Sequence, residues 1–211
     1  MVLIIAEAGV NHNGSILLAK KLIDAAKSSG ADIIKFQSFF AENLVIPGTK
    51  KANYQQDKVT QSEDQFKMLE KLELNFDQQK ELKNYCDSKD IEFLSSAFDL
   101  DSLKLIKDLN VKRYKIPSGE ITNLPYLRFV GSQNKPIILS TGMANISEIR
   151  EALDILNISG AKSEEITLLH CTTEYPAPLK EINLRAMDTI SKTFSINVGY
   201  SDHSMGFEVS I

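Results

Sequence analysis

Seven short apolar runs recur along the chain, and each ends in polar residues able to do chemistry. VLIIAEAG closes on Glu7, ADIIKFQ carries Lys35 and Gln37, and IEFLSSAFD carries Ser95, Ser96 and Asp99. RYKIPSGE follows with Lys115, Ser118 and Glu120, then PIILSTGM with Ser140 and Thr141. ITLLHCTTEYP runs through His170 and Thr173 to Tyr175, and SINVGYSDH brings Ser201, Asp202 and His203. Runs this short and this continuously apolar predict strands buried on both faces, as in a parallel sheet.

Segments with helical spacing lie between the runs. Ser15–Ser29 puts Leu17, Leu18, Leu22, Ala25 and Ala26 on one predicted face, with Ser15 as N-cap and Gly30 as the stop. Phe76–Lys89 repeats the pattern, and so does Leu100–Leu109, where Leu100, Leu103, Ile106 and Leu109 follow helical spacing. Asn145 followed by Glu148 has the form of a capping box opening a helix over Ile146–Asn157. Strand and helix alternate without a second-domain signal, which predicts one α/β domain over residues 1–211. A TIM-type (β/α)8 barrel is favoured over an open sheet, since neither a GxGxxG nor a P-loop motif is present. In such a barrel, polar groups at the carboxyl ends of the strands form the active site.

Phe39 to Leu74 breaks the rhythm. A connector this long in a compact domain is usually functional. It leaves the carboxyl end of a strand, so it is expected to act as a partial lid. Gln61–Leu72 is expected to be a helix within it, with Phe66, Leu69 and Leu72 turned inward.

Composition narrows the class. Hydrophobic residues at 43% and charged residues at 25% describe a globular chain rather than a disordered one. The formal net charge of −4 gives no support for nucleic-acid binding. No stretch reaches the roughly 20 apolar residues of a membrane span, and VLIIA is too short for a signal-peptide core. Cys86 and Cys171, without a CxxC, are read as free thiols of a cytoplasmic enzyme.

The strand ends suggest a small anionic substrate. Lys35 and Lys115 sit in apolar strands, where a lysine is costly without an anionic partner. Ser96, Ser118, Ser140, Thr141 and Ser201 add hydroxyls, and ammonium with hydroxyl groups suits phosphate and carboxylate oxygens. Glu7 and Glu120 offer acid, base or sugar-hydroxyl contacts, and His203 a metal ligand or proton carrier. His12 reads as loop structure and His170 as a hydrogen-bonded core residue. Asp202 either orients His203 or caps the following turn.

EAGVNHNG at Glu7–Gly14, KFQ at Lys35–Gln37 and KIPSGEITNLP at Lys115–Pro125 resemble the N-acetylneuraminate (sialic acid) synthase family, including its legionaminic acid synthases. STGM at Ser140–Met143, LLHCTTEYP at Leu168–Pro176 and GYSDH at Gly199–His203 extend the resemblance over essentially the whole chain. It implies a transferase that condenses phosphoenolpyruvate with an N-acylated mannosamine-type sugar and releases phosphate. Lys35, Ser96, Lys115, Ser118, Ser140, Thr173 and Ser201 would hold phosphoenolpyruvate, and Gln37 and Tyr175 the sugar. Ser96 stands in SSAF where the family commonly has STPF, so Ala97 replaces a proline. Glu7 and Glu120 would be the catalytic carboxylates, and His203 one of two histidines on a divalent metal, typically Mn2+. The resemblance also implies a homodimer for the full-length protein. It further implies a second metal histidine, an eighth strand, a last helix and an antifreeze-like domain beyond Ile211, so the chain is expected to be truncated. The rival expectations are a Schiff-base aldolase using Lys35 or Lys115 and a non-catalytic phosphoenolpyruvate- or sugar-binding homologue.

Overall fold

The computed structural model describes residues 2–52, 55 and 64–211. The described chain falls into two compact units, Met1–Lys112 and Arg113–Ile211. The first holds strands β1 (Ile5–Gly9), β2 (Ile33–Ser38) and β3 (Glu92–Ala97). Its helices are α1 (Ile16–Ser28), α2 (Ala41–Leu44), α3 (Gln65–Glu70), α4 (Phe76–Ser88) and α5 (Leu100–Asp108). The second holds β4 (Tyr114–Ile116), β5 (Ile137–Ser140), β6 (Ile166–Cys171) and β7 (Asn197–Ser201). Its helices are α6 (Leu124–Gly131), α7 (Ile146–Ile158) and α8 (Ala186–Phe194). The expected α/β alternation is therefore present, with one strand in each of the seven apolar runs.

Within the first unit β1 pairs with β2 and β2 with β3, all parallel. Glu7 stands opposite Lys35 and Gln37 opposite Ser96. The β1 register shifts between Glu7 and Gly9, where Gly9 takes φ +52°. Alternation then separates two faces. Lys35, Gln37, Leu94 and Ser96 share one, while Ile34, Phe36, Ser38, Phe93 and Ser95 share the other. On that second face Ser38 Oγ donates to Gln79 Oε1 of α4 at 2.6 Å and lies 2.7 Å from Ser95 Oγ. Gln79 Nε2 donates onward to Leu74 O at 2.9 Å. All three side chains are buried, and a closed polar network of this kind holds its members in one arrangement.

Parallel pairing in the second unit sets Lys115 opposite Ile138, Ser140 opposite Leu169, and Cys171 opposite Ser201. Lys115, Ser140, Cys171 and Ser201 therefore share a face. Tyr114, Ile116, Leu139, Leu168 and His170 occupy the other, where the rings of His170 and Tyr200 lie 5.9 Å apart. No helix among the described residues is long and apolar enough to cross a membrane.

The helix ends follow the expected local chemistry. Ser15 caps α1 by accepting from Leu18 N at 3.3 Å, and Gly30 follows the C-cap at φ +81°. Asn145 and Glu148 form the capping box of α7. A second box, Asn75 with Gln78, opens α4 and is absent from the sequence expectations.

Two expectations change. The buried face of α1 is Ala19, Ile23 and Ala26, while Leu17 is 75% exposed and Ala25 is also exposed. Ala26 belongs to both the expected and the observed face and Leu18 and Leu22 are half-buried, so the packed stripe is turned away from Leu17 and Ala25 toward Ala19 and Ile23, a spacing that is equally helical. The helix expected over Gln61–Leu72 is seen as α3; Gln61 to Glu63 lie outside the described residues. Phe66, Leu69 and Leu72 are half-buried rather than core.

Ile23→Ala is expected to cost about 2–5 kcal/mol of folding stability, the usual penalty for emptying a buried aliphatic site. Leu17→Ala should stay within about 0.5 kcal/mol. Urea unfolding of both variants checks which stripe of α1 is packed.

Candidate active site

In the first unit the face carrying Lys35 is the chemically active one. Lys35 Nζ forms an ion pair with Glu7 Oε2 and lies 3.4 Å from Ser96 Oγ. The lysine side chain is 14% exposed and the carboxylate 50%, so Glu7 reaches from solvent toward a partly sheltered ammonium. A Cβ at Gly9 would stand 3.1 Å from Glu7 Oε1 and 3.6 Å from Gln37 Nε2. The left-handed bulge residue therefore leaves room for both side chains. Glu7, Lys35, Gln37 and Ser96 form one cluster.

The second unit carries a denser set. Lys115 is only 6% exposed; its Nζ donates to Ser140 Oγ at 2.6 Å and to Ile116 O at 2.8 Å. Ser140 is buried as the last residue of β5. Ser118 opens a single 3-10 turn, Ser118–Glu120, directly after β4. Its Oγ accepts from Gly142 N at 3.0 Å and lies 3.3 Å from Cys171 Sγ. At the other end of that turn Glu120 Oε2 accepts from Asn123 Nδ2 at 2.6 Å. Asn123 in turn caps α6 through Tyr126 N, which ties the Glu120 carboxylate to a helix start.

His203 lies at the same end of the unit. Its Nδ1 meets Thr172 O at 2.6 Å and its Nε2 lies 3.5 Å from Ser201 Oγ. The Tyr175 and His203 rings are 4.4 Å apart. A carbonyl accepts only, so Nδ1 is the nitrogen that donates to Thr172 O, and in the neutral ring this leaves Nε2 as the one able to take a metal ion. Among the described residues no group of three or more His, Cys, Asp or Glu side chains converges. Asp202 does not orient His203. It accepts from Ser204 N at 2.8 Å, Ser210 Oγ at 2.5 Å and Tyr200 Oη at 3.4 Å. Burial alone would raise its pKa, but these hydrogen bonds outweigh that and hold it below the usual carboxylate value. Of the two expected roles, turn capping is the one present.

The NeuB family pattern matches residues 22–211. The chain belongs to the NeuB family. It is 56% identical over 209 residues to an N,N'-diacetyllegionaminic acid synthase of Campylobacter jejuni, covering 99% of this chain and 63% of that protein. A protein of the same description from Legionella pneumophila is 48% identical over 98% of this chain and 58% of its own length. The chain thus spans about three fifths of these relatives. Among solved structures, an N-acetylneuraminic acid (sialic acid) synthetase from Leptospira borgpetersenii, in complex with citrate, superposes with a TM-score of 0.84. It is 32% identical, and the match covers 99% of this chain and 67% of that one.

Of the site residues expected for this NeuB family chain, the first unit groups Glu7, Lys35, Gln37 and Ser96. The second joins Lys115 to Ser140, and Ser201 to His203 and Tyr175. Cys171 and Gly142 were not read as site residues, although both touch Ser118. The signal was available in strand alternation, since Cys171 is opposite in phase to His170. His170 departs from its expected role: it is half-buried, and its Nε2 is buried without a hydrogen-bond partner among the described residues. His12 is fully buried; its Nδ1 accepts from Gly14 N at 3.0 Å, while its Nε2 has no hydrogen-bond partner among the described residues. Both cysteines are free, and burial pushes the Cys86 thiol up to about 12, which makes it a poor nucleophile.

Burial lowers the pKa of both His12 and His170 below the ordinary 6.5. Such a group binds a proton less readily folded than unfolded, so its neutral form contributes full stability above 6.5. That contribution falls as the pH drops below 6.5 toward the lowered folded values, where the unfolded chain takes up the extra protons. The urea midpoint should decline on acidification below 6.5, before carboxylates near 3.8 titrate. In proton NMR the His12 and His170 ring signals should titrate with midpoints below 6.5; midpoints at or above 6.5 would contradict this burial effect.

Proposed function

We propose that this protein is a phosphoenolpyruvate-dependent nonulosonic acid synthase that makes N,N'-diacetyllegionaminic acid. The observation that carries the reading is the 56% identity over 99% of the chain to a synthase of that description. Phosphoenolpyruvate contains no nitrogen, so both acetamido groups of such a product must arrive on the sugar. The acceptor is therefore a mannosamine-type sugar bearing two acetamido groups.

The chain's own residues divide the work. Lys35, Ser96, Lys115, Ser118, Ser140, Thr173 and Ser201 bind phosphate and carboxylate oxygens of phosphoenolpyruvate. Charge-assisted hydrogen bonds from ammonium and hydroxyl groups are the strong kind. Gln37 and Tyr175 contact the acylated sugar. C3 of phosphoenolpyruvate attacks the aldehyde carbon of the open-chain sugar, water adds at C2, and the C–O bond breaks to release phosphate. Glu120, braced by Asn123, delivers a proton to the aldehyde oxygen. Glu7 takes a proton from the water that adds at C2. A divalent metal such as Mn2+, with His203 as one ligand, supplies Lewis-acid polarisation of the aldehyde when bound. The engagement of His203 Nδ1 by Thr172 O supports ligation through Nε2 of the neutral ring.

The Schiff-base alternative is less well supported, because both lysines are engaged. Lys35 pairs with Glu7, and Lys115 donates to Ser140 and Ile116.

Phosphate release and product mass, with phosphoenolpyruvate and either N-acetylmannosamine or the diacetamido sugar, test the assignment. The diacetamido sugar should be preferred, and chelation of divalent metal should stop turnover. Pyruvate trapped on lysine by borohydride, with no phosphate release, would replace the synthase by an aldolase. Glu120→Gln should lower kcat on the order of a hundredfold or more while phosphoenolpyruvate binding is largely kept; unchanged turnover removes Glu120 from the chemistry.

A further inference from the structure

The hydroxyl of Ser118 is held from two sides by groups that the proposed reaction does not use. Gly142 N–H donates to Ser118 Oγ at 3.0 Å, and Cys171 Sγ lies 3.3 Å from the same oxygen. The approach of Gly142 depends on its missing side chain. A Cβ there would stand 2.4 Å from Thr173 Cγ2, 2.9 Å from Cys171 Sγ and 3.0 Å from Ser118 Oγ. Real Cβ atoms essentially never come as close as the first two, so a larger residue would displace the amide, the thiol or Thr173. Cys171 is itself buried, on the strand face it shares with Ser140 and Ser201.

The chemistry of the two contacts is complementary. The Gly142 amide occupies one lone pair of the hydroxyl and leaves its proton to be directed elsewhere. A thiol is a weak donor and a weak acceptor, so it can hold the Ser118 rotamer without holding that proton tightly. An anionic oxygen accepts far more strongly and would take the proton as soon as it arrived. A hydroxyl in place of the sulfur would compete for it.

We propose that Cys171 and Gly142 are positioning residues that aim the Ser118 hydroxyl as a donor toward a phosphoenolpyruvate oxyanion. This rests on the reading that Ser118 binds that substrate. Phosphoenolpyruvate affinity, measured by calorimetry on the whole protein, separates the two claims. Ser118→Ala should weaken binding about tenfold, the effect of losing one hydrogen bond to a charged group. Cys171→Ala should weaken it about threefold or more, and by less than about twofold when Ser118 is already alanine, because coupled residues are not additive. Cys171→Ser, which keeps a small polar side chain, should also weaken binding, through competition for the proton. Unchanged affinity with Ser118→Ala overturns the substrate role of Ser118 and the proposal with it. A Ser118→Ala defect alongside wild-type affinity in both Cys171 variants overturns the positioning role alone. So does a Cys171→Ala defect that is equal in the two backgrounds, since that would reflect general loosening.

Discussion

In a parallel ladder a slip of one residue turns every side chain of a strand to the opposite face. Both clusters depend on that constraint. On β2, the setting that points Lys35 and Gln37 one way sends Ile34, Phe36 and Ser38 the other. In the second unit, the setting that joins Lys115 to Ser140 sends Tyr114, Ile116 and Leu139 into a buried layer. A slip would drive an ammonium into that layer and lift large apolar groups out of it. Each error is costly alone, and together they leave one register. The burial that folds the strands is thus also what aims the reactive groups.

Support behind the strand ends differs between the units. In the first, Ser38, Ser95 and Gln79 anchor the ends of β2 and β3 to α4 from the face opposite Lys35 and Ser96. The segment after β2 is pinned by carboxylates: Phe40 N–H donates to Asp99 at 3.1 Å, and Ala41 N–H to Glu73. Asp99 also caps α5 through Ser102, so one side chain fastens a helix start and a connector together. In the second unit the bracing is local to the site, through Gly142, Cys171 and Asn123. Hydroxyls and ammonium groups held from behind lose less freedom when an anion binds, which favours affinity for small, highly charged substrates.

Identity within the NeuB family is uneven in what it carries. It covers both units and nearly every described residue of this chain, yet only about three fifths of the legionaminic acid synthases it matches. The family and the fold stand on that coverage, together with the geometry. The sugar proposed above takes its product from the relatives' descriptions, and the nitrogen balance with phosphoenolpyruvate only carries that product back to its acceptor.

Much was legible in the residues alone. Apolar runs bounded by polar groups located the seven strands of the described residues, and short-range capping patterns at Ser15 and Asn145 located helix starts. These features are local, so burial and neighbouring hydrogen bonds decide them within a few positions. The packed stripe of α1 was not legible, since two helical stripes fit the spacing and only the neighbouring elements choose between Leu17 and Ile23. The partners of Asp202 and His203 were also undecided, because a carboxylate beside a histidine in sequence need not face it. Cys171 read only as a free thiol until the fold brought it, 53 residues away in sequence, to Ser118. The sequence by itself determined which groups lie at strand ends, because the alternation of a strand is a property of consecutive residues. Only the tertiary structure decided which of those groups touch, because contacts between strands depend on register and on the space a residue such as Gly142 leaves open.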